Sequence, residues 1–112
     1  MALTLEIGGE EADLLLRALR AERRLELEVR ATLERVRRFE ERHGMSSEVF
    51  LERFRRGELG DEEEYIEWYG ELVFLEEARR ELEEVKRLEE KLAEKLRGEG
   101  AEEARGDRAS PL

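Results

Sequence analysis

The residues with the clearest potential for chemistry are Glu40 and His43, the second being the single histidine of the chain. Their Glu-x-x-His spacing puts both side chains on one face of a helix, as in the carboxylate-bridged iron sites of helical bundles. However, a chain with 31 acidic residues produces this spacing readily by chance, and the helix dipole favours a histidine at a helix C-terminus in any case. The sequence therefore predicts no metal site and no cofactor.

Other catalytic patterns are weaker. Ser46 and Ser47 are better explained as helix-capping residues than as nucleophiles, and Ser110 lies in the predicted tail. Gly8 and Gly9 lack the lysine and the spacing of a phosphate-binding loop. We therefore predict that the protein is not an enzyme.

Net charge and its distribution point to a protein partner. The chain of 112 residues carries a formal charge of -10, with 39% hydrophobic and 46% charged residues. Residues 17–42 contain nine Arg and six Glu, whereas residues 43–112 contain twelve basic and twenty-one acidic residues. The acidic majority favours a basic protein partner. DNA binding by the basic first helix stays open but is disfavoured, because Glu residues alternate with its Arg residues and intrahelical salt bridges explain both.

The residue types that are missing also carry information. The chain has no Cys, Asn or Gln, which fits selection at high temperature, where such side chains degrade and ion-pair networks gain value. No apolar run approaches the roughly 20 residues of a membrane span, and the start lacks a basic-then-apolar signal pattern. We predict a cytoplasmic protein of a thermophilic prokaryote that does not contact a membrane.

Periodicity predicts an all-α fold in which two long antiparallel helices are joined by a short helix, after a short N-terminal strand. Leu3, Leu5 and Ile7 alternate with polar residues as in a strand, and an isolated strand would have to pair with a second copy or a partner. The predicted elements form one helical-hairpin domain, residues 1–97, and are a strand at 3–7, a helix at 10–43, a short helix at 46–56, a helix at 61–97 and a disordered tail at 98–112.

Local signals mark the ends of these helices. Gly44 is placed to end the first helix in the left-handed conformation, and Ser46 is placed to cap the short one. Gly57 breaks the helical pattern again after the short helix. Asp61 and Glu64 have the spacing of a capping box for the last helix.

The first helix carries a heptad seam, which predicts helix-on-helix packing. Two helices cover each other on one side only, so we predict a homodimer that buries the remaining apolar surface. The residues assigned to dimerisation are the apolar strand positions and part of the seam: Leu3, Leu5, Ile7, Leu25, Val29 and Val36.

Two segments, 39–54 and 57–68, carry a more specific pattern. They read FEERHGMSSEVFLERF and GELGDEEEYIEW. This pattern resembles a family of small prokaryotic antitoxin-like proteins encoded beside toxins of the TumE type. The Gly-Met-Ser and Gly-Glu-Leu-Gly-Asp elements are its most specific parts, and the resemblance covers about 39–72.

The resemblance implies an antitoxin that neutralises a small basic toxin, the product of an adjacent gene, by protein-protein binding. The acidic last helix would face the toxin, and large aromatic residues ringed by carboxylates would act as anchors. The residues assigned to partner binding are Tyr65, Trp68, Tyr69, Glu63, Glu64 and Glu67. For Trp68, packing against the short helix is the favoured interpretation, and for Tyr65 and Tyr69 packing and partner binding stand level. At the level of function, the alternative is a self-assembling coiled-coil scaffold or chaperone-like hairpin without enzymatic activity.

Overall fold

The computed structural model describes the backbone of residues 9–109 and the side chains of residues 9–98. This part of the chain contains three helices and no strand: α1 is Gly9–His43, α2 is Ser47–Arg55 and α3 is Glu63–Ala109. The predicted all-α fold is confirmed, whereas the predicted strand at 3–7 lies outside the described residues. No helix between residues 9 and 109 combines the length and the apolar character needed to cross a bilayer.

Among the described residues, backbone contacts define two compact units, one formed by residues 24–81 and the other by residues 9–23 with 82–109. In the first unit, Arg35 pairs with Glu71 and Arg42 pairs with Glu64, so α1 and α3 run antiparallel there. The second unit contains its own interhelical ion pair, at 2.9 Å between Lys95 Nζ and a carboxylate oxygen of Glu11. The predicted pairing of two long helices into a hairpin is confirmed.

The end of α1 follows directly from Gly44. This residue has a φ of 61°, a backbone conformation that costs glycine little and other residues considerably more. The amide of Met45 then donates a 3.3 Å hydrogen bond to the carbonyl of Glu40, which is the bond that defines a Schellman motif. The predicted glycine stop is confirmed.

The short helix α2 is closed in the same way. Gly57 has a φ of 72°, its amide donates to the carbonyl of Phe54 at 3.1 Å, and the amide of Glu58 donates to the carbonyl of Arg53 at 3.0 Å. These are the two bonds of a complete Schellman motif. The helix spans Ser47–Arg55, one residue shorter at each end than predicted.

Two side chains satisfy backbone amides at the start of α2. The hydroxyl of Ser46 accepts a 3.2 Å hydrogen bond from the amide of Val49, as predicted for an N-cap residue. The carboxylate of Glu40, which belongs to α1, accepts a 2.8 Å hydrogen bond from the amide of Ser47. A negative charge at a helix N-terminus is stabilising, so Glu40 fixes the position of α2 on the end of α1.

The capping box predicted for the last helix is wrong. α3 begins at Glu63 and not at Asp61, and the amide of Tyr65 donates a 3.0 Å hydrogen bond to the carbonyl of Glu62. The carboxylate of Glu64, which the box would need, instead accepts a hydrogen bond from Arg42. The side chain of Glu64 therefore contacts α1 and does not cap the start of its own helix.

The far end of α3 also differs from the prediction. The helix continues to Ala109, whereas the sequence predicted helix only to residue 97 and a disordered tail at 98–112. The segment 99–109 is composed mainly of Ala, Glu and Arg, which are strong helix formers and offset the cost of its glycines. Residues 110–112 lie outside the described residues.

Burial follows the predicted seam of α1 in part. In the unit of residues 24–81, the buried side chains of α1 are Leu25, Thr32 and Val36, and those of the other two helices are Phe50, Trp68, Leu75 and Ala78. In the other unit, Ala18 and Leu92 are buried. The first unit therefore holds the large buried side chains, and its core is centred on aromatic rings.

Candidate functional site

Trp68 is the centre of an aromatic cluster in the unit of residues 24–81. Its side chain has no exposed surface, and its ring stacks on Phe50 with centroids 3.9 Å apart and planes 7° apart. Phe39 and His43 of α1 stack on it at 5.7 and 5.5 Å. Of the two interpretations offered for Trp68, packing is the one that the structure shows, and we remove Trp68 from the partner-binding set.

A hydrogen bond satisfies the only polar atom of the buried indole. The Nε1–H of Trp68 donates to the hydroxyl oxygen of Ser47 at 3.1 Å. Ser47 therefore holds Trp68 through its side chain and Glu40 through its backbone amide. Sequence reasoning assigned Ser47 to capping alone and missed this bond, because nothing local links residues 47 and 68.

Tyr65 and Tyr69 occupy an intermediate position. Both are half-buried, with the ring of Tyr65 5.1 Å from that of His43 and the ring of Tyr69 5.0 Å from that of Phe54. Each side chain thus packs on one side and retains exposed area on the other. Their assignment to partner binding stays a prediction.

A ladder of opposite charges joins α1 to α3 beside this cluster. Arg35 donates to Glu71 and Arg42 donates to Glu64. Arg38 and Glu67, which lie between these pairs along their helices, line the same shallow concavity as Arg35, Phe39 and Arg42. The two ion pairs therefore offset the charges of Glu64 and Glu71, while Glu67 lies between them on an exposed part of α3.

Glu64 belongs to this ladder more than to any outer surface. The hydrogen bond from Arg42 is the main cause that holds the pKa of Glu64 below its usual range. His43 Nε2 lies 3.3 Å from a Glu64 carboxylate oxygen, although the geometry does not make a hydrogen bond. We therefore assign Glu64 to the interhelical contact and not to partner binding.

The Glu-x-x-His pair does not converge on a common point. The carboxylate of Glu40 is used at the start of α2, while the ring of His43 lies against Tyr65 and Trp68. Among the described residues, no group of three or more His, Cys, Asp or Glu side chains could hold a metal ion.

The opposite face of α3 presents an apolar stripe to solvent, formed by Ile66, Gly70, Val73 and Phe74. The side chains of Ile66, Val73 and Phe74 are 58%, 38% and 40% exposed. Their spacing of four, seven and eight residues from Ile66 places all four positions on one side of the helix. We call this set the α3 stripe.

Carboxylates dominate the segment that carries the α3 stripe. Residues 57–78 contain nine Asp and Glu and no Lys, Arg or His. Glu63, Glu67 and Glu77 are exposed and lie close to the stripe along the helix. An apolar surface inside an acidic field matches a partner that is apolar at its centre and basic at its edge.

The residues assigned to dimerisation are placed differently from expectation. Leu25 and Val36 are 1% and 5% exposed, so their apolar surface is already covered within one chain, which corrects their assignment to a dimer contact. Val29 is half-buried, and its assignment stays a prediction. Leu3, Leu5 and Ile7 lie outside the described residues.

Exposed apolar side chains also occur in the other unit. Leu14, Leu16, Leu19 and Leu88 are each 44–46% exposed. A shallow groove in that unit is lined by Leu15, Leu19 and Ala93, with charged residues at its edge. The described residues of this unit carry nearly balanced charge, since 9–23 contain four acidic and three basic residues and 82–98 contain five of each.

The sequence shows Ile66, Val73 and Phe74 as a widening of the apolar face of the last helix, and heptad spacing separates them from the core line. Trp68 and Leu75 are seven residues apart, and so are Ile66 and Val73, which gives two heptad lines on different sides of α3.

A comparison of the chain with protein-family models, curated proteins and solved structures finds no match.

Proposed function

We propose that this chain is a non-enzymatic binding protein, the antitoxin of a prokaryotic toxin-antitoxin pair, which neutralises a small basic toxin encoded next to it. The observation that carries the proposal is the α3 stripe within a segment of nine carboxylates and no cation. The resemblance of residues 39–72 to antitoxin-like proteins adds the identity of the partner. The proposed place of action is the cytoplasm, and the composition supports a thermophilic source.

The apolar and the acidic side chains of α3 would contribute to binding in different ways. Exposed apolar side chains such as Ile66 and Phe74 supply contact area, and binding energy in protein interfaces concentrates in a few such anchors. The exposed carboxylates of Glu63 and Glu67 would raise the rate of association with a basic surface and disfavour acidic competitors. Tyr65 and Tyr69, which are half-buried, would extend the contact beyond one edge of the stripe.

The test is co-expression of the protein with its chromosomal neighbour, scored by cell growth and by co-purification. Rescue of growth together with a stable complex supports the proposal, and a harmless neighbour that forms no complex contradicts it. Two double variants, Glu63→Lys with Glu67→Lys and Ile66→Ser with Phe74→Ser, should lose the complex and keep full helix content. Leu27→Ser is the matched control, because it removes a similarly exposed apolar side chain of the same unit outside the stripe.

A second candidate function is a self-assembling scaffold, and one observation favours it. The exposed leucines of the unit containing residues 9–23 and 82–98 lie among nearly balanced charges, so a second copy would meet little electrostatic repulsion there. A homodimer through these leucines is also compatible with the antitoxin proposal. Light scattering after size-exclusion chromatography separates the two functions: a scaffold forms stable oligomers and has no dedicated partner.

A further inference from the structure

Gly70 has no role that the chain itself explains. It lies on the exposed side of α3, and an added Cβ atom there would meet nothing within 4 Å. Gly70 has no positive φ, unlike Gly44 and Gly57. A glycine inside an exposed helix destabilises that helix relative to alanine, so the reason for Gly70 must be sought outside the folded chain.

Its neighbours on the surface indicate where to look. Ile66 lies one turn before Gly70 and Val73 lies one turn after it, and both are exposed. The missing side chain leaves a notch between two apolar side chains, at which another backbone can approach α3 closely. Phe74 borders the same notch and supplies a large ring beside it.

We propose that Gly70 is the crossing point at which a helix of a basic partner packs on α3. Ile66, Gly70 and Phe74 are spaced four residues apart, which is the spacing of a ridge that helices use when they pack on one another. The partner helix would place a small or aliphatic residue over Gly70 and Lys or Arg residues opposite Glu63 and Glu67. This inference rests on the proposed function and adds the kind of element that the partner contributes.

A second copy of this chain is the less suitable occupant. A symmetric contact between two α3 stripes would bring the exposed carboxylates of Glu63, Glu67 and Glu77 of both copies together, and residues 57–78 supply no basic residue to offset them. Like charges placed across an interface cost binding energy and suppress that pairing. A basic helix gains from the same charges, and on this ground we choose it.

The test uses the full chain and the purified product of the neighbouring gene, with affinity measured by calorimetry. Gly70→Ala should weaken binding at least tenfold, and Gly70→Leu should abolish it, although both substitutions favour the helix itself. Gly98→Ala is the control, because Gly98 is also a helical glycine of α3 with open space around its Cβ position. It should leave the affinity unchanged.

The outcomes distinguish a failure of the proposed crossing point from a failure of the proposed function. If wild-type protein binds the neighbour and Gly70→Ala binds equally well, the crossing point is wrong while the proposed function stands. If wild-type protein forms no complex with the neighbour, both are overturned. A Gly70→Leu variant that binds as tightly as Gly98→Ala would also reject the crossing point, because a leucine would fill the notch.

Discussion

The indole Nε1–H of Trp68 donates a 3.1 Å hydrogen bond to the hydroxyl of Ser47. This bond links the centre of the aromatic cluster on α3 to the first turn of α2. Since Trp68 is fully buried, its N–H has no access to water in place of Ser47. A buried polar group that loses its partner costs more than the hydrogen bond itself contributes.

Ser47→Ala should therefore lower the free energy of unfolding by about 1–3 kcal/mol, measured by urea unfolding followed by circular dichroism. In a Trp68→Phe background the N–H is absent, so the added cost of Ser47→Ala should largely vanish. The double-mutant cycle isolates the bond from the packing that Trp68→Phe also changes. Equal costs of Ser47→Ala in both backgrounds would show that the bond contributes nothing.

The left-handed glycine at the end of α2 gives a second prediction. Gly57→Ala should destabilise the protein by about 1 kcal/mol, because a Cβ atom is disfavoured at positive φ. Gly60→Ala is the matched control, since Gly60 has no positive φ and has open space around its Cβ position. Thermal unfolding should show a midpoint lowered by several degrees for Gly57→Ala only. Similar midpoints for the two variants would contradict the Schellman assignment.

The stops at Gly44 and Gly57 and the cap at Ser46 were predictable because each depends on a few consecutive residues. Their dihedral angles and hydrogen bonds are decided locally, and glycine is the residue that tolerates a positive φ best. The same holds for the all-α class, which follows from the apolar periodicity of the two long helices.

The role of Glu64 was not predictable in the same way, and the burial of Trp68 was favoured by the sequence but not decided by it. Positions 66 and 68 of α3 are both apolar, so periodicity alone does not say which of the two heptad lines faces the core. That choice depends on where α2 lies, since Phe50 of α2 covers Trp68. The carboxylate of Glu64 likewise accepts a hydrogen bond from Arg42 of α1, which lies 22 residues away in sequence, and it does not form a capping box with its neighbour Asp61.

Stability should depend on pH through two glutamates. A hydrogen bond from Arg42 lowers the pKa of Glu64, and a hydrogen bond from Lys95 lowers the pKa of Glu11. A folded pKa below the ordinary value of 4.5 stabilises the fold at any pH above 4.5, and this stabilisation is lost as pH falls through the lowered value. The free energy of unfolding should therefore decrease on acidification below about pH 4.5.

The variant Arg42→Ala isolates the Glu64 contribution to this acid limb. Without the arginine, less stabilisation remains to be lost, so the decrease below pH 4.5 should be smaller than in wild type. Arg80→Ala is the control, because its pair with Glu76 is exposed on both sides and such pairs contribute little. Urea midpoints measured from pH 7 down to acidic pH would test both variants. Parallel acid limbs for all three proteins would reject the role of Arg42.

The final prediction concerns Gly70 in the absence of any partner. Gly70→Ala should raise the free energy of unfolding by up to about 1 kcal/mol, because alanine is the better helix former and its Cβ meets no neighbouring atom. Ile66→Ser, on the same face, should change stability by no more than about 0.5 kcal/mol, since its side chain is more than half exposed. Leu75→Ala, at a buried position of the same helix, should cost about 2–5 kcal/mol. Chemical unfolding of the three variants would measure these changes in the free energy of unfolding: a gain for Gly70→Ala, little change for Ile66→Ser and a large loss for Leu75→Ala. A destabilised Gly70→Ala variant would mean that the chain itself needs this glycine, and the case for an external helix would then lose its first premise.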